Sequence, residues 1–155
     1  MTSMTSLNKV VDLAEKRRDA ALSALAQQQR EMAMAQAQLD QLESYSAEAQ
    51  QRWAGRTGVQ LDASLLHHHR HFMDKIRHAV EFQRSVIGNK QAQIDRCQIA
   101  VHAAERDVAG LKKYVERQLS AQELSRRKRE QKDTDEMAMN VYLRQMRANS
   151  EGARP

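Results

Sequence analysis

Four residues of the chain have the types and spacing that could hold a metal ion. They lie at positions i, i+4, i+7 and i+11 of a helical pattern and are His67, His71, Asp74 and His78. A transition ion could bridge two imidazoles one helical turn apart. No cysteine joins them, however, and a stripe on one helix leaves an ion open to water. We therefore predict a solvated polar face, with no metal and no cofactor.

The rest of the sequence does not favour catalysis. It has no glycine-rich loop that could hold a phosphate, and no nucleophile with a base that a helical protein could enclose. The single Cys97 cannot form an internal disulfide. Because it falls within an apolar repeat, we interpret it as a small core residue. We predict that the protein is not an enzyme.

Basic residues are concentrated in one segment. The net charge of +5 equals the excess of eight basic over three acidic residues in the segment 111–132. Four of the basic residues are consecutive: Arg126, Arg127, Lys128 and Arg129. Such a run can bind an acidic surface of a partner, or it can be only a solvated face.

The composition indicates long helices. The chain has 155 residues with 22 Ala and 17 Gln, but only five Gly, and its one Pro is the last residue. Sandwiches, barrels and doubly wound folds need more turn residues than this. No apolar run approaches the roughly 20 residues of a membrane span, and the first six residues lack the basic region and apolar stretch expected of a signal peptide. We expect a cytoplasmic protein without direct membrane insertion.

Two long apolar repeats at steps of four and three residues predict coiled-coil helices. Eleven of the fourteen positions are apolar in each repeat. The first seam is Leu7, Val11, Ala14, Arg18, Ala21, Leu25, Gln28, Met32, Ala35, Leu39, Leu42, Ser46, Ala49 and Trp53. The second seam is Met73, Ile76, Val80, Gln83, Ile87, Lys90, Ile94, Cys97, Val101, Ala104, Val108, Leu111, Val115 and Gln118. The polar seam residues either set the register or are merely tolerated.

The segment between the seams is short, so the helices are expected to be antiparallel neighbours. We predict an all-α, long antiparallel two-helix coiled-coil hairpin with helices at 7–53 and 65–147, a loop at 54–64 and a turn near residue 59. Asp62 and Ser64 are candidate caps. Segments 1–6 and 148–155 are expected to be disordered. Leu42 should lie opposite Ile76, and Leu7 opposite Leu111. Roughly the last 36 residues of the second helix then overhang the first.

Two surfaces are candidates for binding proteins. Near the loop, Tyr45 and Phe72 each precede a seam position, which places both rings on the same side of the hairpin; they form either an interface or a cover over the seam. The full patch is Gln38, Leu42, Tyr45, Phe72, Ile76, Ala79 and Gln83.

The overhang exposes the apolar residues Leu119, Leu124, Val141 and Leu143 beside the four consecutive basic residues, and so it should enter a partner.

Three sequence motifs resemble those of the FliJ family. They are Leu7-x3-Val11-x-Leu13-Ala14-Glu15-Lys16, then Gln38-Leu39-x2-Leu42-x2-Tyr45, then Arg129-Glu130-Gln131-Lys132-x2-Asp135-Glu136-x-Ala138. The resemblance implies a stalk and adaptor of the bacterial flagellar type III protein-export apparatus, at the cytoplasmic face of the inner membrane. Its implied partners are a hexameric export ATPase, a membrane export-gate protein and export chaperones. Ala49 departs from the family, because an aromatic residue there would extend the surface of Tyr45.

Other functions are compatible with the same pattern. The protein could be the stalk of a homologous injectisome, a basic coiled coil that binds nucleic acid, or a scaffold that dimerises through its overhang. Nucleic acid is the weaker candidate because the basic run follows the coiled coil and is itself followed by Asp133, Asp135 and Glu136. We therefore expect no nucleic-acid partner.

Overall fold

The computed structural model describes residues 2–56 and 62–153, and two α-helices contain almost all of them. Helix α1 spans Thr2–Ala54 and helix α2 spans Ala63–Gly152. The described residues contain no strand. The all-α fold with two long helices and an overhanging second helix is confirmed.

The helix ends next to the loop are closed by local hydrogen bonds. The backbone N–H of Gly55 donates to the carbonyl of Gln51 at 3.0 Å, and that of Arg56 donates to the carbonyl of Trp53 at 3.1 Å. Asp62 directly precedes α2, and its carbonyl accepts the N–H of Leu66 at 3.2 Å, which is consistent with its prediction as a cap. The turn predicted near residue 59 lies outside the described residues.

Both helices are longer than their seams predicted. Helix α1 begins at Thr2 rather than at residue 7, and Met4 is half-buried three residues before Leu7. The first seam therefore extends one position further towards the N-terminus, to Met4. It passes through the Ser and Thr residues from which we predicted a disordered start. Helix α2 reaches Gly152 through a segment rich in Arg, Met and Gln, which are good helix formers even where nothing packs against them.

The chain divides into two compact units, of which the first is residues 13–108. In this unit all the buried apolar side chains are predicted seam positions: Ala14, Ala35, Ile76, Ile94, Val101 and Val108. The remaining predicted seam positions of this unit are half-buried, apart from Gln83, which is buried. Two helices alone can enclose only a narrow strip, so the core is a single line of small and medium side chains.

Polar seam residues contact the opposite helix within this unit. Gln83 donates from Nε2 to the backbone carbonyl of Ala35 at 2.9 Å and to Oε1 of Gln38 at 3.1 Å. Lys90 donates from Nζ to Oε1 of Gln28 at 3.4 Å. The predicted register places Gln83 opposite Ala35 and Lys90 opposite Gln28. The antiparallel register is thus confirmed.

The second unit comprises residues 1–12 and 109–155. Here the seam residues Leu7, Val11, Leu111 and Val115 are half-buried. From residue 124 to residue 153 every residue is exposed. This terminal segment, the part of α2 from 124 to 152, is about 43 Å long at 1.5 Å per residue. Its helical structure therefore comes without the packing that helices usually need.

Candidate protein-binding surfaces

Tyr45 and Phe72 lie beside one open depression of about 270 Å³ near the loop. Tyr45 is 62% exposed and Phe72 is 43% exposed. The depression is lined by Tyr45, Glu48, Ala49, Arg52, Trp53, Arg56, His69 and Phe72, and we call it the tip depression. The two rings therefore lie on one side of the hairpin, as their positions relative to the seam predicted.

The other members of the predicted patch lie elsewhere. Ile76 and Gln83 are buried in the seam, with 8% and 9% exposed, so a partner could not contact much of either. Leu42 and Ala79 are half-buried, whereas Gln38 is exposed. Seam packing explains the difference, because Ile76 and Gln83 are themselves seam positions. The predicted patch of seven residues is therefore divided between the surface and the core.

A second depression, of about 510 Å³, includes Ile76 but neither Tyr45 nor Phe72. An ion pair crosses it, with Nη2 of Arg84 lying 3.1 Å from Oε1 of Glu43. Both partners are largely exposed, and an ion pair of that kind contributes little to stability. Ile76 thus belongs to a different surface from the two exposed aromatic rings.

An aromatic stack that the sequence analysis missed lies in the tip depression. The rings of Trp53 and His69 are nearly parallel, with centroids 4.2 Å apart and an interplanar angle of 8°. A signal for it exists in the sequence. The second seam, started at Met73, can be continued backward to His69 and Leu66, and both are half-buried. His69 is therefore a seam residue facing α1.

The predicted histidine stripe lies on an exposed face of α2. The rings of His67 and His71 are 6.4 Å apart between centroids and inclined by 11°. No cluster of three or more His, Cys, Asp or Glu side chains suited to a metal ion occurs in residues 2–56 and 62–153. Cys97 is half-buried in the seam.

The four consecutive basic residues are not equivalent. Nη2 of Arg126 lies 2.9 Å from Oε1 of Glu123, and Nε of Arg127 lies 3.3 Å from the same oxygen. Lys128 and Arg129 have no ion-pair partner within the described part of the chain. Of these four side chains, Lys128 and Arg129 are therefore the most available to pair with a partner.

The apolar residues that we predicted to enter a partner lie on different sides of α2. Leu119, Leu124, Val141 and Leu143 are 49%, 57%, 55% and 48% exposed. Val141 and Leu143 are two residues apart, which is about 200° around the axis, so they face nearly opposite sides. A further apolar face, not predicted, is formed at i, i+3, i+4 and i+7 by Met139, Tyr142, Leu143 and Met146, all exposed.

The fold and its surfaces define a class: a two-helix hairpin with an open depression lined by aromatic rings beside its loop and a fully exposed terminal segment. None of the described helices has the length and apolarity needed to cross a membrane. The sequence pattern of the family described as Flagellar FliJ protein matches residues 3–147. The chain therefore belongs to the FliJ family, which consists of components of flagellar protein export. Neither curated proteins nor solved structures gave a significant match.

Proposed function

We propose that this protein is a non-catalytic stalk and adaptor of the flagellar type III protein-export apparatus. In this proposal its terminal segment enters the ring of the export ATPase, and its loop end contacts the membrane export gate. It also handles export chaperones and works at the cytoplasmic face of the inner membrane. The family match over residues 3–147 supports the setting, and the surfaces support the two contacts.

The observation that carries the proposal is the exposure of every residue from 124 to 153. A lone helix with Leu124, Val141 and Leu143 in water loses the stabilisation that burial of those side chains would provide. A ring contacts a central helix on all sides at once. Val141 and Leu143 lie on nearly opposite sides of the helix, so a partner that surrounds the helix can contact both, whereas a flat surface can contact only one of them.

The basic residues add an electrostatic component to this contact. Lys128 and Arg129 carry charge that is free to pair with acidic side chains lining a ring. Contacts of this kind speed association and weaken as salt rises. We therefore assign the predicted ring-binding set, Leu119, Leu124, Arg126, Arg127, Lys128, Arg129, Val141 and Leu143, to the ATPase, with Lys128 and Arg129 as its principal charges.

Truncation after Gln122 tests the ring contact. It removes the fully exposed terminal segment and leaves every seam position in place. We expect stimulation of the purified export ATPase to be lost, while circular dichroism and thermal unfolding show that the remaining hairpin still folds. Unchanged stimulation by the truncated chain would contradict the proposed role of this segment.

Paired charge reversals give a sharper test within the full chain. The variant K128E/R129E should weaken the ATPase association more than R126E/R127E does. The reason is that Arg126 and Arg127 are already paired with Glu123. The difference should be largest at low salt, where screening is least. Duplex DNA, titrated at the same two salt concentrations, serves as the competing partner. Tight DNA binding without any effect on ATP turnover would favour a nucleic-acid function instead.

The gate contact is tested at the two exposed rings. The variant Y45A/F72A should weaken binding to the purified cytoplasmic domain of the export gate, because both rings line the tip depression. Phe82→Ala is the matched control, since Phe82 is 70% exposed on α2 and does not line that depression. Equal binding by the double variant and the control would show that the tip rings do not contact the gate.

A further inference from the structure

The tip depression has chemical features beyond its two exposed rings. Its lining includes the stacked rings of Trp53 and His69, which join α1 and α2 next to the loop. Ala49, with its small side chain, also lines the depression. An open space bounded by several aromatic rings can accept one large apolar side chain from a partner.

The stack holds its two rings in place before any partner arrives. Trp53 and His69 are both half-buried, and their rings lie 4.2 Å apart between centroids. A side chain already packed in this way loses little conformational freedom on binding. Tyr45 and Phe72 line the same depression and are exposed, so their rings are also available to an incoming group. The stacked pair is thus the preorganised part of the depression.

Two arginines give the rim a positive charge. Arg52 is paired only weakly, with Nη2 3.9 Å from Oε2 of Glu48, and its side chain is 80% exposed. Arg56 is exposed and has no ion pair within the described part of the chain. Among the described residues that line the depression, Glu48 is the only one with a carboxylate. With two guanidinium groups and one carboxylate, the rim complements a negatively charged ligand.

We propose that the tip depression binds an acidic segment of a partner protein, of which one aromatic or large aliphatic side chain packs on Trp53 while carboxylates pair with Arg52 and Arg56. This inference rests on the proposed function, in which the partner is the export gate. It goes further by naming the chemistry of the bound segment. It also adds Trp53, His69, Arg52 and Arg56 to the residues that select the partner.

Other occupants fit the depression less well. A single-stranded nucleic acid could stack on the rings, but its phosphates repeat along the whole strand, whereas the basic side chains that line this depression are confined to Arg52 and Arg56 beside His69. A second copy of this chain could insert the adjacent Glu81 and Phe82, both exposed, and would then associate with itself. Tighter binding of single-stranded DNA, or self-association through this depression, would overturn the proposal.

The chain offers an intrinsic probe at this site, because Trp53 is its only tryptophan. We would titrate the full chain with two capped peptides, Asp-Glu-Phe-Glu-Asp and Lys-Lys-Phe-Lys-Lys, and follow the fluorescence of Trp53. The acidic peptide should change the fluorescence at concentrations about tenfold lower than the basic one, since only its charges complement the rim. Preference for the basic peptide, or no response to the acidic one, would overturn the proposal.

The variant R52E/R56E tests the rim. It should weaken binding of the acidic peptide, and of the purified cytoplasmic domain of the gate, by about tenfold at low salt. R96E/R106E is the matched control, because both arginines are exposed on α2 and outside the depression, and the net charge changes equally. Circular dichroism should show that both variants fold. Equal losses in the two variants would mean that only net charge matters, which would overturn the proposal.

Failure of this inference can be told apart from failure of the proposed function. If the gate domain binds and Y45A/F72A weakens it, but R52E/R56E matches its control, the gate contact stands and the acidic specificity is wrong. If the gate domain does not bind but the acidic peptide does, the gate is the wrong partner and the specificity stands. Tighter binding of single-stranded DNA than of the acidic peptide would overturn the proposal. Trp53 fluorescence that changes with protein concentration alone would reveal self-association and would also overturn it.

Discussion

Residues 13–108 and the terminal segment of α2 are both largely helical, yet they differ in how far their side chains are buried. In the first region seam positions recur every three or four residues, and the most buried, such as Val108 and Val101, are only 4% and 5% exposed. In the terminal segment all residues are exposed, including Met139, Val141 and Leu143. Helix formation and core formation are therefore separate properties of this chain. Only the first region carries its own packing partner.

The largest expected effect contrasts two isoleucines on the same helix. Ile94 is 6% exposed in the seam and Ile99 is 67% exposed. Ile94→Ala should lower the free energy of unfolding by about 2–4 kcal/mol, because it removes buried methyl and methylene groups. Ile99→Ala should change it by less than about 0.5 kcal/mol, since Ala is also the better helix former. Urea unfolding of both variants measures the difference, and equal effects would mean that the seam is not the core.

A mid-sized effect is expected when helix propensity alone is changed. Gly88 lies in α2 with no atom near the position that a Cβ would occupy. Gly88→Ala should therefore raise the free energy of unfolding by about 0.5–1 kcal/mol. The reverse exchange in the terminal segment, Ala138→Gly, should lower helical circular dichroism without shifting the cooperative unfolding transition. A shift with Ala138→Gly would show that the terminal segment unfolds together with the hairpin.

The next prediction concerns register rather than stability. In the observed register Ala21 lies opposite Cys97, so Ala21→Cys should form an intramolecular disulfide with Cys97, whereas exposed Ser23→Cys should not. Adding Q83L/K90L removes polar contacts that fit one register only. Its effect on stability should be small, because the apolar burial that leucine gains in the seam offsets the lost contacts of Gln83 and Lys90, but it should lower the yield of that disulfide.

Crosslinks formed in a shifted register of the two helices give a second measurement of the same effect. A slip of one heptad would bring Cys97 opposite residue 14 or residue 28, so Ala14→Cys or Gln28→Cys should crosslink only in the Q83L/K90L background. Leucines at exposed Gln91 and Gln98 form the control, because those positions lie outside the seam. If the leucine pair at 83 and 90 leaves the Ala21→Cys disulfide unchanged, the polar seam residues are tolerated rather than register-setting.

The smallest effect is a dependence on pH. Lys90 and Glu31 pair across the helices, and the pKa of Glu31 is lowered from its ordinary value of 4.5. The cause is first the hydrogen bond from Lys90, then that from Gln27, and then the charge of Lys90. Because the folded state favours the ionised carboxylate, this contribution to stability is present above the unfolded-state pKa and is lost as pH falls through the lowered value.

The variant Glu31→Gln should therefore show its stability deficit near neutral pH and lose it in acid. Denaturant unfolding at about pH 7 and pH 3 measures the change in the difference between wild type and variant. Asp40→Asn, at an exposed position of α1, controls for loss of one charge. A deficit that persists in acid would indicate that Glu31 acts by packing and not through its ionised form.

Periodic, local features were determined by the sequence alone. The two helices follow from composition, and the heptad seams identify the buried line, because a side chain's face on a helix depends only on its spacing. The register followed too, since a short connection leaves few ways to align two seams. Gln83 opposite Ala35 and Lys90 opposite Gln28 are instances that spacing predicted and the structure confirmed.

Only the tertiary structure decided which surface residues meet. Spacing placed Ile76 in a patch with Phe72, but packing against α1 buries Ile76 and leaves Phe72 exposed. Spacing places Trp53 and His69 in the seams, but the stacking of their rings depends on side-chain rotamers and on how the two helices approach each other beside the loop. The engagement of Arg126 and Arg127 by Glu123 likewise depends on side-chain rotamers. Spacing determines which face a residue lies on, but only the positions of atoms decide what that residue contacts.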